Sequence, residues 1–399
     1  MLTARRGGPL KGLLRVPGDK SCSHRALILG AMRAGETVIT GLNDGEDVGR
    51  TAAALSQFGV RVEADRVVGG AWRSPSQDVD CGNSGTTARL LIGAVAGMPG
   101  VEARFVGDAS LSRRPMGRLV APLRRMGAVI EGGETLPLTV RGGPLEGIAH
   151  ANDPPSAQVK SALLLAGLAA GVEVRVEEPA TSRDHTEIML AHAGAEIAIA
   201  GDPSAAAFGL VAAAVVPGSE VRVEGLLANP LRVGFLRVLE RMGADVEWSN
   251  ARVQSGERVA DVRVRHAPLM GCRVTADAVP GLVDEVPTLA VACARAEGAS
   301  VIEGVGELRV KESDRLAAIV AGLGACGIDA RVEGDDLHIF GGRSRGGVVR
   351  SEGDHRIAMA FLTLGLASAG PVSVDEESMI ATSFPGFVEG MRGIGAEIA

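Results

Sequence analysis

The stretch LRRMGAVIE, residues 123–131, and its near copy LERMGADVE, residues 239–247, decide the fold. Each reads as the last turn of a helix, a glycine where a left-handed residue ends it, and an alternating run suited to a strand. Four looser copies complete the series: LSQFGVRVE (55–63), LAHAGAEIA (190–198), LGACGIDAR (323–331) and MRGIGAEIA (391–399). The glycines, at 59, 127, 194, 243, 327 and 395, are separated by 68, 67, 49, 84 and 68 residues. A recurrence of about that length through a 399-residue chain marks a repeated supersecondary unit.

The front half of each unit repeats as well. GDKSCSHRALILGAM (18–32), CGNSGTTARLLIGAV (81–95), DPPSAQVKSALLLAG (153–167), GDPSAAAFGLVAAAV (201–215), LVDEVPTLAVACARA (282–296) and GDHRIAMAFLTLGLA (353–367) share one pattern. A short polar turn leads into an apolar helix of about ten residues, which the pattern predicts to be buried on most faces. Strands such as TVITG (37–41) and EVRVEG (220–225) follow. A unit therefore reads strand-helix-strand-helix-strand with a further strand, an α/β (α+β) class. Six units exceed one core, so two domains of three are expected. The expected first domain is residues 17–202 and the second 203–399. The lone strand in residues 1–16 is expected to belong with the second domain.

Composition excludes several classes. No apolar run reaches the roughly 18 residues of a membrane span, and AAAFGLVAAAVV (205–216) is too short. The first residues, MLTARRGGPLKGLL, lack the apolar region and cleavage site of a signal peptide. The five cysteines (22, 81, 272, 293 and 326) fit no metal-ligand spacing, so reduced thiols in a cytoplasm are expected. A net charge of −7, no tyrosine and 3% aromatic residues argue against nucleic-acid binding.

Chemistry collects at the unit openings. Only four of the 41 basic residues are lysines (Lys11, Lys20, Lys160 and Lys311), and three of these sit in the motifs. Helix N-termini present unpaired N–H groups and partial positive charge, which favours anions. Ser21 and Arg25 lie four apart on one helix face beside Lys20. Asn83, Ser84, Gly85 and Arg89 open the second unit; Ser156, Gln158 and Lys160 the third; Asp284 the fifth; Asp354, His355 and Arg356 the sixth. Arg113, Arg114 and Arg183 stand at further turns. Plain structural roles compete: Ser21, Ser156 and Asp284 as N-caps, Arg25 and Arg89 as solvated helix charges, Glu312–Arg315 as a local ion pair. So many cations at turns exceed what one monoanion needs and suit ligands with several phosphates or carboxylates. GDKS lacks the second glycine of a P-loop.

The motifs PGDKSCSHRA (17–26), CGNSGTTARL (81–90), GDASLSRRPMGRL (107–119), PSAQVKSALLLAG (155–167), TSRDHTE (181–187), DEVPTLAVA (284–292), RVKESDRL (309–316), GDHRIAMAF (353–361) and TSFPGF (382–387) span the whole chain in one order. Together they resemble the enolpyruvyl transferases, in particular the 5-enolpyruvylshikimate-3-phosphate synthase family. That resemblance implies two domains of three βαβαββ units with the active site in the cleft between them. It implies transfer of the enolpyruvyl group of phosphoenolpyruvate to the 5-hydroxyl of shikimate 3-phosphate, with no metal or other cofactor. The expected molecule is a cytoplasmic monomer whose partners are these small-molecule substrates, not nucleic acid or membrane.

Carried over motif by motif, Lys20, Ser21, Arg25, Ser156, Ala157, Gln158, Arg183, Asp284 and Lys311 are expected to hold shikimate 3-phosphate. Lys20, Gly85, Arg114, Gln158, Arg315 and Arg356 are expected around phosphoenolpyruvate, which glyphosate displaces in this family. Lys20, Asp284 and Glu312 carry the expected catalysis: Asp284 takes the hydroxyl proton and Glu312 protonates the methylene carbon. Lysine suits position 20 because an ammonium is a compact donor that can give and accept protons, unlike a guanidinium. Ala157 and Thr382 depart from the common pattern, which has serine and lysine there. The sister transferase acting on UDP-N-acetylglucosamine is the nearest alternative. It has a reactive cysteine before its Arg-Pro, which GDASLSRRP (107–115) lacks, and Lys-Asn where this chain has Lys20-Ser21. An RNA 3′-phosphate cyclase and a non-enzymatic repeat scaffold are the remaining alternatives. The cyclase needs a nucleotide signature that is not visible, and the scaffold needs none of Lys20, Asp284 and Glu312.

Overall fold

The computed structural model describes residues 1–192 and 194–399. Twelve helices follow the sequence pattern among the described residues. They are α1 (Lys20–Met32), α2 (Glu46–Gln57), α3 (Gly85–Ala96), α4 (Gly117–Arg125), α5 (Ala157–Ala170) and α6 (His185–His192). Then come α7 (Pro203–Val215), α8 (Gly234–Arg241), α9 (Val286–Arg295), α10 (Arg315–Ala325), α11 (His355–Gly365) and α12 (Phe387–Gly393).

The repeated glycines end the even-numbered helices. After α2, the Val60 N–H donates to the Leu55 carbonyl at 3.2 Å and the Gly59 N–H to the Ser56 carbonyl at 3.0 Å. Gly59 has φ of +88°. This is a Schellman cap, which only glycine adopts without a Cβ penalty. The same two bonds recur at Gly127, Gly243, Gly327 and Gly395, each with positive φ. Gly194 follows residue 193, which lies outside the described residues.

Among the described residues five four-stranded sheets share one order. Around Glu102–Val106, the edge strand Val79–Asp80 runs parallel, Leu138–Arg141 lies antiparallel on the other side, and Val129–Glu131 closes antiparallel to that. With α3 and α4 these strands follow the chain order βαβαββ. Arg273–Val274, Ala299–Ile302, Asp329–Glu333 and Asp336–Phe340 repeat it with α9 and α10. Other repeats borrow strands. Gly35–Thr40 takes its parallel neighbour from Glu196–Ala198, and Glu220–Leu227 takes Lys11–Leu13. Leu2–Arg5 sits between Val372–Val374 and Glu397–Ile398. The third unit departs from the expected pattern: Ile148–Ala151 and Val174–Glu177 form a two-stranded sheet. That loss explains the short 49-residue glycine interval, and the long hairpin Asp245–Gln254/Glu257–Arg265 explains the 84-residue one.

By compactness the chain divides into two modules, Lys20–Ile199 and Ala200–Ala399 with Met1–Asp19. In the 200–399 module every residue of α7 and α11 is buried, within one apolar cluster shared with α9. Burial of each large apolar side chain contributes about 1.5–3 kcal/mol. In the 20–199 module α3 and α5 touch backbone to backbone. A Cβ on Gly93 would sit 2.2 Å from the Ala162 carbonyl oxygen, and one on Gly97 2.4 Å from that of Ala166. This close crossing sets the spacing of the two helix N-termini that matter below. No disulfide forms among the described residues, and burial pushes the Cys81 and Cys293 thiols up to about 12. Among the described residues no helix is long and apolar enough to cross a membrane.

Candidate active site

In the 20–199 module the polar side chains gather at the starts of α1, α3 and α5. Lys20 opens α1, and its Nζ donates to Asp47 Oδ2 in the first turn of α2 at 2.6 Å. Ser21 follows on the same turn, half-buried. Arg25 is 3% exposed. Its Nη1 donates to the Ser21 carbonyl at 2.8 Å, its Nε to Thr186 Oγ1 at 2.8 Å and its Nη2 to Ser161 Oγ at 2.7 Å. Arg25 is therefore no solvated helix charge.

Ser84 caps α3 by accepting from the Thr87 N–H, and Gly85 is the first helical residue. A Cβ at Gly85 would lie 2.6 Å from Arg89 Nη1 and 3.4 Å from Arg114 Nη1, so space and not an unusual φ makes this position a glycine. Arg89 donates to Gln158 Oε1 at 3.0 Å and to the Pro115 carbonyl at 3.1 Å, while Gln158 Nε2 donates to Thr86 Oγ1 at 2.9 Å. Arg114, 8% exposed, donates through Nη2 to Asn83 Oδ1 and to Ser110 Oγ at 3.3 Å. Ser156 is the N-cap of α5, accepting from the Val159 N–H, and Ala157 is the first helical residue. Arg183 lies half-buried in the connection 178–184.

In the 200–399 module one buried arginine organises the cluster. Arg315, the first residue of α10, is 1% exposed. Its Nε donates to Asp354 Oδ2 at 2.7 Å, its Nη2 pairs with Glu312 Oε2, and its Nη1 lies 3.5 Å from Asp284 Oδ1. Burial works against the Arg315 charge, but the carboxylates of Asp354, Glu312 and Asp284 outweigh it and raise its pKa. Asp284 sits on the short turn Val283–Glu285 ahead of α9, whose N-cap position is Glu285. Its carbonyl accepts from Arg356 Nη1 at 3.2 Å, and Arg356 Nη1 lies 3.9 Å from Glu285 Oε1. Asp354 caps α11 by accepting from the Arg356 N–H at 2.9 Å. Lys311 turns onto Glu307, with Nζ to Oε1 at 2.7 Å. Thr382 ends the short turn Ser378–Thr382, half-buried.

The carboxylates and hydroxyls that orient these cations escaped sequence reasoning. Asp47 lies outside every motif, and Thr186, Ser161 and Glu285 lie inside motifs that assigned them no role; only their tertiary contacts reveal them. Arg232 is a further case, 2% exposed, bonded to Asp19 Oδ2 and, at 3.1 Å, to both Asp202 Oδ1 and Ser204 Oγ.

Helix N-termini bearing Lys, Arg and Ser, together with carboxylates clustered on buried arginine, define an α/β enzyme for polyanionic small molecules, built of repeated βαβαββ units. Comparison with known proteins narrows that class. The family model of EPSP synthase (3-phosphoshikimate 1-carboxyvinyltransferase) matches residues 4–200 and again 195–391, and the chain belongs to that family. It is 50% identical to the 3-phosphoshikimate 1-carboxyvinyltransferase of Phenylobacterium zucineum, covering 100% of this chain and 95% of that protein. The enzyme of that name from Caulobacter vibrioides is 47% identical, with coverage of 100% and 98%. Among solved structures, an EPSP synthase from Acinetobacter baumannii superposes with a TM-score of 0.87 at 38% identity, covering 100% of this chain and 99% of that one. The enolpyruvyl transferase NikO from Streptomyces tendae, at 18% identity and a TM-score of 0.75 with coverage of 100% and 98%, shares the fold. The family resemblance and fold class read from the motifs are thereby borne out.

Proposed function

We propose that the protein transfers the enolpyruvyl group of phosphoenolpyruvate to the 5-hydroxyl of shikimate 3-phosphate and releases phosphate, a step toward chorismate and the aromatic amino acids. The observation that carries this reading is the Arg315 cluster, where a carboxylate-binding cation holds Asp284 and Glu312 at its own guanidinium. Full-length relatives bearing that activity in their names support it.

In this reading Ser21, Arg25, Ser156, the Ala157 backbone, Gln158 and Arg183 hold shikimate 3-phosphate, with Lys311 beside it. Arg114, with Gln158, takes the phosphate of phosphoenolpyruvate, next to Gly85. Arg315 and Arg356 take its carboxylate, which replaces Glu312 on Arg315 and leaves Glu312 able to carry a proton. Asp284 accepts the proton of the attacking hydroxyl as its oxygen bonds to C2. Glu312 protonates C3, giving a tetrahedral intermediate. Loss of the C3 proton and of phosphate then restores the vinyl ether. Lys20 contacts both substrates as a mobile donor. Positioned proton transfer contributes about 10²–10⁴-fold, and holding two polyanions in register supplies much of the rest.

The direct test is phosphate release by the purified protein. Release should require both phosphoenolpyruvate and shikimate 3-phosphate. Turnover with UDP-N-acetylglucosamine in place of shikimate 3-phosphate would instead assign the sister activity.

A further inference from the structure

Lys160 belongs to the third unit's opening, yet the roles above leave it unused. It lies on α5 with its side chain only 6% exposed. Its Nζ meets three acceptors: Glu178 Oε2 at 3.0 Å, Glu187 Oε1 at 2.9 Å and the Ser182 carbonyl at 3.2 Å. An ammonium offers three donors on a compact head, whereas a guanidinium spreads its donors in one plane. Three acceptors match the three N–H donors of the ammonium, so Lys160 has no donor left for a phosphate.

Those acceptors fasten the connection 178–184. Glu178 stands at its start, Ser182 inside it, and Glu187 in the first turn of α6 beyond it. Glu178 Oε2 also accepts from the Ser182 N–H at 3.0 Å, and Oε1 accepts from Ser182 Oγ and from Asn152 Nδ2, each at 2.6 Å. Burial pushes the Glu178 carboxyl up, but the Ser182 hydroxyl and N–H and the Lys160 ammonium outweigh it and hold it below the usual carboxylate range. Asn152 Nδ2 in turn donates to the Ser156 carbonyl at 3.0 Å. One network thus joins Ser156 at the start of α5 to Ser182, the neighbour of Arg183. The next residue, Ser161, reaches the other way, to Arg25 at 2.7 Å and to Thr186 at 2.8 Å.

We infer that Lys160 is a positioning residue for shikimate 3-phosphate: through Glu178, Ser182 and Asn152 it fixes the separation of Arg183 and Ser156 without touching substrate. The inference rests on the function proposed above. It is specific to one substrate, because no group assigned to phosphoenolpyruvate alone joins this network.

The test titrates shikimate 3-phosphate, without phosphoenolpyruvate, into wild type, Lys160→Met and Ser182→Ala, and measures both KM values and kcat. Misplacing two ligand groups should weaken shikimate 3-phosphate at least about tenfold in Lys160→Met. Loss of one hydrogen bond should weaken it about fivefold in Ser182→Ala. The KM for phosphoenolpyruvate and kcat at saturation should stay within about twofold of wild type, a split that simple loss of stability does not produce. Lys160→Arg should fail to restore affinity, because its planar donors do not match the three acceptors. Unchanged shikimate 3-phosphate affinity, or equal rises in both KM values, would overturn the inference. Should Lys160→Met not fold, Ser182→Ala decides alone. Failure of the wild type to bind shikimate 3-phosphate would sink the proposed function instead, so the two failures are distinct.

Discussion

The two modules hold the arginines of the candidate site differently. In the 20–199 module, Arg25 is oriented by the hydroxyls of Ser161 and Thr186, Arg114 by Asn83 and Ser110, and Arg89 by the Gln158 amide oxygen. In the 200–399 module, Arg315 is held by Asp354 and Glu312, and Arg232 by Asp19 and Asp202. A neutral acceptor fixes the plane of a guanidinium without cancelling its charge. A carboxylate fixes and cancels together. The first arrangement suits holding phosphate dianions, the second suits keeping acid–base groups beside one exchangeable anion. Lys20, paired with Asp47, crosses this division and is also the cation assigned to the chemistry.

The largest contrast is expected in stability. Arg315→Ala leaves Asp354, which is 0% exposed, without its cation, and should cost about 3–5 kcal/mol in urea unfolding. Arg114→Ala strands the Asn83 amide and the Ser110 hydroxyl, and should cost about 0.5–1.5 kcal/mol. Equal losses would erase the distinction. It follows that Arg315→Ala is not a clean binding variant, although a surface carboxylate clamp would have been.

Lys20→Arg keeps the positive charge at the start of α1 but removes the titratable point donor. Its kcat should fall at least about 10²-fold in steady-state assays. Near-normal turnover would return Lys20 to the purely substrate-holding class of Arg25.

Gly85→Ala probes the neutral-acceptor side. The new Cβ would lie 2.6 Å from Arg89 Nη1, so Arg89 must shift from Gln158. Glyphosate, longer than phosphoenolpyruvate, should inhibit the wild type competitively and the variant about tenfold less well, with about a threefold rise in the KM for phosphoenolpyruvate. Unchanged inhibition constants would remove Gly85 from the border of the site.

The smallest effect is on acid stability. Glu178, Asp261 and Asp375 are each subject to burial that raises their pKa, outweighed by hydrogen-bond donors that lower it. A folded-state pKa below the ordinary 4.5 or 3.8 contributes stability that is present above those values and lost as pH falls through the lowered ones. Denaturant midpoints should therefore be insensitive to these three groups near neutrality and decline below about pH 4.5. Glu178→Gln should flatten part of that decline. An undiminished decline would place the titration elsewhere.

Much of the fold was legible because glycine caps leave a local trace. The same two hydrogen bonds recur at five of the repeated glycines, and the irregular intervals beside Gly243 report a missing hairpin and a lengthened one. Strand exchange was not legible. Glu196–Ala198 pairs with Gly35–Thr40 about 160 residues away, and three alternating residues carry no sign of their partner. The site divides in the same way. Side chains at helix starts, such as Ser156 and Arg356, announce themselves by position. Asp47, Ser161 and Thr186 acquire meaning only from what the fold brings to them. Lys160 was singled out for its charge, yet burial among carboxylates makes it an anchor.

The division between a holding module and a reacting one is tested most directly by titrating shikimate 3-phosphate alone into wild type, Arg25→Ala and Asp284→Ala, with kcat measured on the same preparations. Arg25→Ala should weaken binding at least about tenfold, since a charge-assisted contact is lost. Asp284→Ala should bind within about threefold of wild type while its kcat falls at least about 10²-fold. If Asp284→Ala weakened shikimate 3-phosphate as much as Arg25→Ala does, or turned over normally, the two modules would not divide the work in this way.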